Sequence, residues 1–409
     1  MDCKDFGIDE FLENTKNLWF REKVEKPVAD ENSISGENPV VGENPVVGEN
    51  SNTILATYAT LTRNIEEFKF PDFLTTEDAR RVKNLMLDAV QNFDKENRFL
   101  PIEATQLNED GIRYLKALSF FSGNTDKFLA NGMFFIDTKT EGCCITVNDG
   151  SHYRITVCKK GYNVKAAYDE AMKIDNNLQH YLKVLVSPLF GYMNTSLEDC
   201  GFGLKIKVLV HSVFLKEVLI QGKKSLIFPF LKTDLYIDSA PLSLLNLFFL
   251  SIKNPASIDD STHIDILEKS CEWISHIEKD FKSLMLLEHP SLIKNDVYKD
   301  FAIIKSAMMI NDLEGVVKIS TLKTACELGL LNFDGKKIEK KEKSDGKNPD
   351  ILPLLYYAKR DFLKPHLDFA KIVPNDSGEN LTDYQKIEMF RAKLLQKIFA
   401  DTTLETKDE

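Results

Sequence analysis

Between Met133 and Val157 the chain reads MFFID, CCITVND and YRITVC, three short runs rich in β-branched and aromatic residues. Thr138 to Gly142 and Asp149-Gly150 lie between the runs and are turn-forming in composition. That spacing predicts an antiparallel meander, and a meander must bury at least one face under other elements. The text on either side supplies them. Thr75-Thr76-Glu77-Asp78 opens a helix, with either threonine as cap and Val82, Leu85, Met86 and Val90 as its apolar stripe. Residues 164–186 keep helical spacing, and Gly203 to Ile220 reads as β with the weaker alternation of strands buried on both faces. From about Ile264 helical patterns dominate, over 264–286, 297–309, 312–330, 352–369 and 383–400. The expected fold class is α+β: an antiparallel sheet flanked by helices, followed by an all-helical C-terminal domain.

With 409 residues, 43% hydrophobic and 28% charged, the chain is long enough for two or three domains and apolar enough to bury large cores. A net charge of −11 argues against a nucleic-acid or anionic-membrane binder. Leu242 to Ile252, the longest strongly apolar stretch, is about half of the ~20 residues that span a bilayer, and the start has no secretory pattern. Seven cysteines without a C-x-x-C pair read as reduced thiols in a cytoplasmic protein, and no histidine spacing suits a metal. Residues 36–50 read GENPVVGENPVVGEN, a linker or an inserted loop rather than a solenoid repeat, and Phe11, Leu12, Leu18 and Trp19 before it suggest a short docking helix. The division expected is 1–53 for helix and linker, 54–262 for the sheet domain, and 263–409 for the helical domain with a charged, solvated loop at 335–350.

Val147 to Arg154 places an acid, a histidine and an arginine at a strand-turn-strand. This cluster can serve proton transfer or phosphate binding, but a satisfied turn is the commoner origin of such clustering. Ser196 and Cys200 near Asp199 have nucleophile chemistry but no general base at a recognisable spacing. The order of segments resembles the phosphagen kinases (ATP:guanidino phosphotransferases), and within them the bacterial protein-arginine kinases. Ala56 to Asn64 followed by Phe68-Lys69-Phe70-Pro71 is similar to S-S-R-I-R-L-A-R-N with its trailing F-x-F-P, and Asn148 to Ile155 to N-E-E-D-H-I-R-I. Phe190 to Lys205, ending in Val210-His211, resembles F-G-Y-L-T-x-C-P-T-N-x-G-T-G-L-R and its V-H strand. Val297-Tyr298-Lys299 and Glu327-Leu328-Gly329 match the helical domain of the protein-arginine kinases.

In that family a phosphoryl group passes from Mg-ATP to a guanidine, which requires arginines around the phosphates and a carboxylate base. The resemblance puts the first two arginines on Tyr58 and Thr60 and leaves Arg63 to structure. It puts the base on Gly150 beside Asp149 and Ser151, the cysteine on Ser196 and a later arginine on Lys205. Thr233 to Asp238 takes the place of R-G-x-Y-G-E, so threonine replaces another arginine and the acid survives only as Asp238. His152 and Arg154 are kept, and a nucleotide-contacting histidine falls on Ser119. The phosphoarginine pattern R-D-x-x-R-A of the C-terminal domain falls on residues 382–387 and retains Asp383, with Lys386 nearby.

One of five arginines therefore remains, which points to a pseudokinase that needs no cofactor and acts through a protein partner. That partner would be an active protein-arginine kinase or its activator, and the resemblance also implies a homodimer. Two alternatives are an active kinase on Mg-ATP, with Asp149 or Asp238 as base and Lys205 with Arg154 as clamp, and a phosphoarginine or peptide module in the C-terminal domain.

Overall fold

A computed structural model describes residues 6–21, 53–121, 125–221, 235–238, 246–252, 259–333, 349–372 and 381–404. The GENPVV repeat, Thr233 and most of the charged loop (334–348) lie outside the described residues.

The strands are β1 (Ile54–Arg63), β2 (Phe99–Glu103), β3 (Met133–Asp137), β4 (Cys143–Val147), β5 (Tyr153–Lys160), β6 (Val186–Ser187), β7 (Gly191–Tyr192), β8 (Leu204–His211), β9 (Leu235–Asp238), β10 (Leu247–Ile252), β11 (Leu331–Asn332) and β12 (Thr403–Leu404). Eight of them form one sheet in the order β2-β3-β4-β5-β1-β8-β10-β9, every pair antiparallel. The helices are α1 (Ile8–Asn14), α2 (Thr76–Phe93), α3 (Glu109–Ala117), α4 (Thr125–Asn131), α5 (Val164–Gln179), α6 (Val213–Ile220), α7 (Asp260–Glu288), α8 (Pro290–Ser306), α9 (Asp312–Glu327), α10 (Ile351–Ala358), α11 (Arg360–Leu363) and α12 (Asp383–Ile398).

Because side chains alternate along a strand, β1 feeds two cores. Ala59 and Leu61 join α2, α5, α6 and α7 on one face; Ala56 and Tyr58 join α1, α3 and the C-terminal helices on the other. This double burial explains the near-continuous apolar runs of β4, β5 and β8.

Two stretches depart from the sequence reading. Val213–Ile220 is helical, not extended: Ser212 caps it by accepting from Leu215 N–H, and Glu278 of α7 accepts from the N–H groups of Val213 and Phe214 at 2.9 and 3.0 Å. Residues 352–369 are interrupted at Lys359, whose extended backbone separates α10 from α11. The helical C-terminal region also contains a small ribbon, Leu331–Asn332 paired with Thr403–Leu404.

Buried charges tie the C-terminal helices to the sheet. Lys282 lies 2.8 Å from Glu278 and 2.7 Å from Glu327, and Lys323 pairs with Glu327 as well. Beside them Ser320 Oγ meets His211 Nε2 and Asn246 Nδ2, each at 2.8 Å. Burial, with Lys323 and Lys282 nearby, holds the His211 pKa well below its usual value. Among the described residues no helix is long and apolar enough to cross a membrane.

Candidate functional site

Register gathers several of the expected site positions on the sheet face that carries Tyr58. Thr60 stands between Thr156 of β5 and Lys205 of β8, and Thr62 pairs with Arg154. Asp238 pairs with Phe249 at the far edge of the same sheet.

The turn from β4 to β5 shapes one end of this face. Asn148 and Gly150 both take left-handed backbone conformations, φ 61° and 72°, which asparagine and glycine tolerate best. The turn directs Asp149 back onto β5. Arg154 Nη1 lies 2.9 Å from Asp149 Oδ2, and Arg154 Nη2 donates to the Asp149 carbonyl at 3.1 Å. The Asp149 side chain is completely buried and that of Arg154 is 18% exposed. The position given to the catalytic base is thus Gly150, in a conformation a glutamate would adopt only under strain.

His152 is fully buried, and its ring is bonded into the fold. Nδ1 accepts from Ile65 N–H at 2.8 Å, and Nε2 lies 2.8 Å from the Lys69 carbonyl. These bonds select the neutral tautomer protonated on Nε2, and desolvation lowers the pKa to about 4. Asn64 accepts from His152 N–H at 2.9 Å and donates to Met193 O and Asn194 Oδ1. Arg63 is structural, as expected: it is buried, lies 2.7 Å from Asp175 and stands 3.6 Å over the Tyr192 ring.

Tyr58 is enclosed by aromatic rings. Trp19 and Phe249 lie at centroid distances of 5.8 and 5.7 Å, and the Tyr58 hydroxyl shares a 3.3 Å hydrogen bond with Tyr356 of α10. Phe20 stacks on Tyr356 at 4.3 Å. The N-terminal segment and α10 together cover the first expected arginine position, and burial raises the Tyr58 pKa far above its ordinary value.

The remaining positions are more open. Lys205 is half-buried and makes no ion pair among the described residues. Ser196 is exposed in a loop where Cys200 Sγ contacts the Ser196 and Asn194 carbonyls. Ser119 is exposed at the end of α3 with φ 68°.

In the C-terminal region Thr382 and Gln385 form a capping box that starts α12. Asp383 is exposed in its first turn, and Lys386 donates to the Phe369 carbonyl at 3.3 Å. Five residues further on, Ile387 to Ala392 contains Glu388 and ends in Arg391-Ala392. Arg391 is buried, with Nη2 2.6 Å from Asp312. A cavity of about 370 Å³ lies beside it, lined in part by Asp312, Glu388 and Arg360, whose guanidinium stands 4.5 Å over Tyr384.

Comparison with known proteins agrees with this geometry. Residues 81–221 match the family model described as ATP:guanido phosphotransferase, C-terminal catalytic domain. The protein-arginine kinase of Clostridium tetani is 22% identical over 297 residues, covering 70% of this chain and 84% of the relative. That of Brevibacillus brevis is 22% identical over 359 residues, covering 85% and 92%. Among solved structures, the duplicated taurocyamine kinase from Schistosoma mansoni with bound transition state analog components aligns with a TM-score of 0.51 at 17% identity, over 61% of this chain. The present chain spans 36% of that duplicated one. Residues 81–221 are thus similar to the catalytic domain of the ATP:guanido phosphotransferases, and the chain to the protein-arginine kinases.

Proposed function

We propose that this chain keeps the guanidino-kinase scaffold without its phosphoryl transfer and acts through protein contacts, regulating an active protein-arginine kinase. The observation that carries this reading is the Asp149–Arg154 pair, because the one arginine kept at a phosphate-facing position is bound to the chain's own carboxylate. Tyr58 under Trp19, the committed ring of His152 and the glycine at position 150 support it. Mg-ATP as substrate brings roughly four negative charges, and its grip in this family relies on bidentate arginines. At ~1.5–3 kcal/mol for each charge-assisted bond, four lost contacts weaken binding by at least roughly four decades. A reducing, cytoplasmic setting suits the six described cysteines, which are all buried thiols.

The test has two parts. Millimolar Mg-ATP is expected to leave the melting temperature of the full chain unchanged, and labelled ATP to transfer no phosphate to an arginine-rich protein. Ligand stabilisation or transfer would overturn the catalytic half of the proposal. Adding the chain to an active protein-arginine kinase is expected to change that enzyme's rate, and an unchanged rate across a wide molar ratio would reject the regulatory half.

A further inference from the structure

Lys359 is the extended residue between α10 and α11, and its backbone is fixed on both sides. Its N–H donates to the Tyr356 carbonyl at 2.9 Å, and its carbonyl accepts from Leu363 N–H at 3.0 Å. The half-buried side chain lays its Nζ 4.8 Å from the centre of the Tyr356 ring. That ring is held in place, because Phe20 stacks on it at 4.3 Å and its hydroxyl is bonded to Tyr58. The two buried lysines among the described residues both lie against carboxylates, Lys282 against Glu278 and Glu327, and Lys323 against Glu327. Lys359 has no ion pair among the described residues. Asp361, the carboxylate whose charge it feels, pairs with Arg360 Nε at 3.5 Å, and burial keeps the Tyr356 hydroxyl neutral. A ring face holds an ammonium less firmly than a carboxylate does, so desolvation prevails and the Lys359 pKa falls from 10.5 to about 8.

We propose that Lys359 is an acylation site for activated acyl groups, acyl thioesters or acyl phosphates. The neutral Nζ attacks the acyl carbon, and a C–N bond replaces the C–S or C–O bond. The thiolate or phosphate leaves, and the amine proton passes to solvent. The position itself favours an amide. An unpaired ammonium is costly where water is excluded, and the amide carries no charge, whereas a Schiff base would return a protonatable nitrogen to the ring face. At pH 7 about a tenth of an amine with a pKa of about 8 is unprotonated, roughly 300-fold more than of an ordinary lysine. Lower basicity and partial burial offset part of that gain. The inference is independent of the catalytic reading, because no step uses a phosphate-facing residue.

Millimolar acetyl-coenzyme A and acetyl phosphate, each incubated with the full chain, supply the two leaving groups. The internal standard is Lys183, whose side chain is 76% exposed and whose pair with Glu66 raises its pKa. Mass spectrometry of the digested chain is expected to show Lys359 acetylated at pH 7 at least tenfold faster than Lys183 by one or both donors, and the faster donor identifies the leaving group. The Lys359 rate should level off above about pH 8, while that of Lys183 goes on rising. Asp361→Asn removes the carboxylate that favours the ammonium and should move the levelling to lower pH. Unfolding in urea should erase the preference. A native chain in which Lys359 reacts no faster than Lys183 with either donor overturns the proposal, as does a preference that survives unfolding.

Discussion

If Arg154 is masked by Asp149, removing one negative charge should unmask it. Asp149→Asn keeps the volume, an acceptor oxygen and the backbone carbonyl that takes the second arginine N–H at 3.1 Å. It removes the carboxylate that stands 2.9 Å from Nη1. Arg154 is partly exposed, so its freed nitrogen can reach an added anion. One charge-assisted bond to a phosphate oxygen contributes ~1.5–3 kcal/mol. Tripolyphosphate titrated calorimetrically at low salt should therefore bind about 10–150-fold more tightly to the variant than to wild type. Raising the ionic strength should erase much of the gain, because Arg154 sits at a solvent boundary. The fold loses a partly buried ion pair, so a modest fall in melting temperature is also expected. A folded variant with unchanged or weaker polyphosphate affinity would refute the masking. The variant also separates the two kinase readings. Were Asp149 the base of a working enzyme, wild type would transfer phosphate and Asp149→Asn would lose ~10²–10⁴ in rate.

Three further outcomes follow from the same geometry. Tyr58→Arg should not restore nucleotide binding; it should destabilise the chain by at least ~3 kcal/mol, because it buries an unpaired charge among Trp19, Phe249 and Tyr356. A melting temperature within a degree of wild type would contradict that. His152 titrates at about 4 in the fold against 6.5 in the unfolded chain, so the unfolded state binds more protons between those values. Its contribution is complete above pH 6.5 and falls by roughly 3 kcal/mol as the pH drops to 4. Urea midpoints of wild type and His152→Asn should therefore converge as acid is added, and parallel curves would exclude the assignment. Glu278 accepts from Ser212 Oγ, Val213 N–H and Phe214 N–H while pairing with Lys282, so Glu278→Ala should cost ~3–5 kcal/mol in thermal melts. A loss below ~1 kcal/mol would mean that the network does little to hold α6 and α9 to the sheet.

What the sequence disclosed was what local chemistry decides. The β3–β4–β5 meander and the Thr75 cap of α2, which accepts from Asp78 N–H, are set by neighbours a few residues apart. Val213–Ile220 was misread because its helix is completed by Glu278, some 65 residues away, which no local pattern carries. The break at Lys359 was hidden for the opposite reason, since apolar spacing runs on through a residue whose backbone is extended. Resemblance named positions that the register sets side by side on β1, β5 and β8, but not the state of their charges. Spacing showed that Asp149 and Arg154 are close in sequence, and it left proton transfer, phosphate binding and a satisfied turn open. The left-handed backbone of Asn148 and Gly150 chooses the ion pair.

The same long-range packing determines whether the losses could be reversed singly. A glutamate at position 150 would have to take a backbone conformation that side chains resist, and an arginine at position 58 would displace Trp19 and Tyr356 from a shared core. On the proposed reading, each group that the resemblance expects is held out by packing around its position: by the turn at Gly150, and by α10 and the N-terminal segment at Tyr58. Phosphoryl transfer by this chain would, on the same reading, need concerted changes in the turn, the N-terminal segment and α10. On this reasoning a combined Tyr58→Arg and Gly150→Glu variant should melt lower than either single variant and still bind no Mg-ATP.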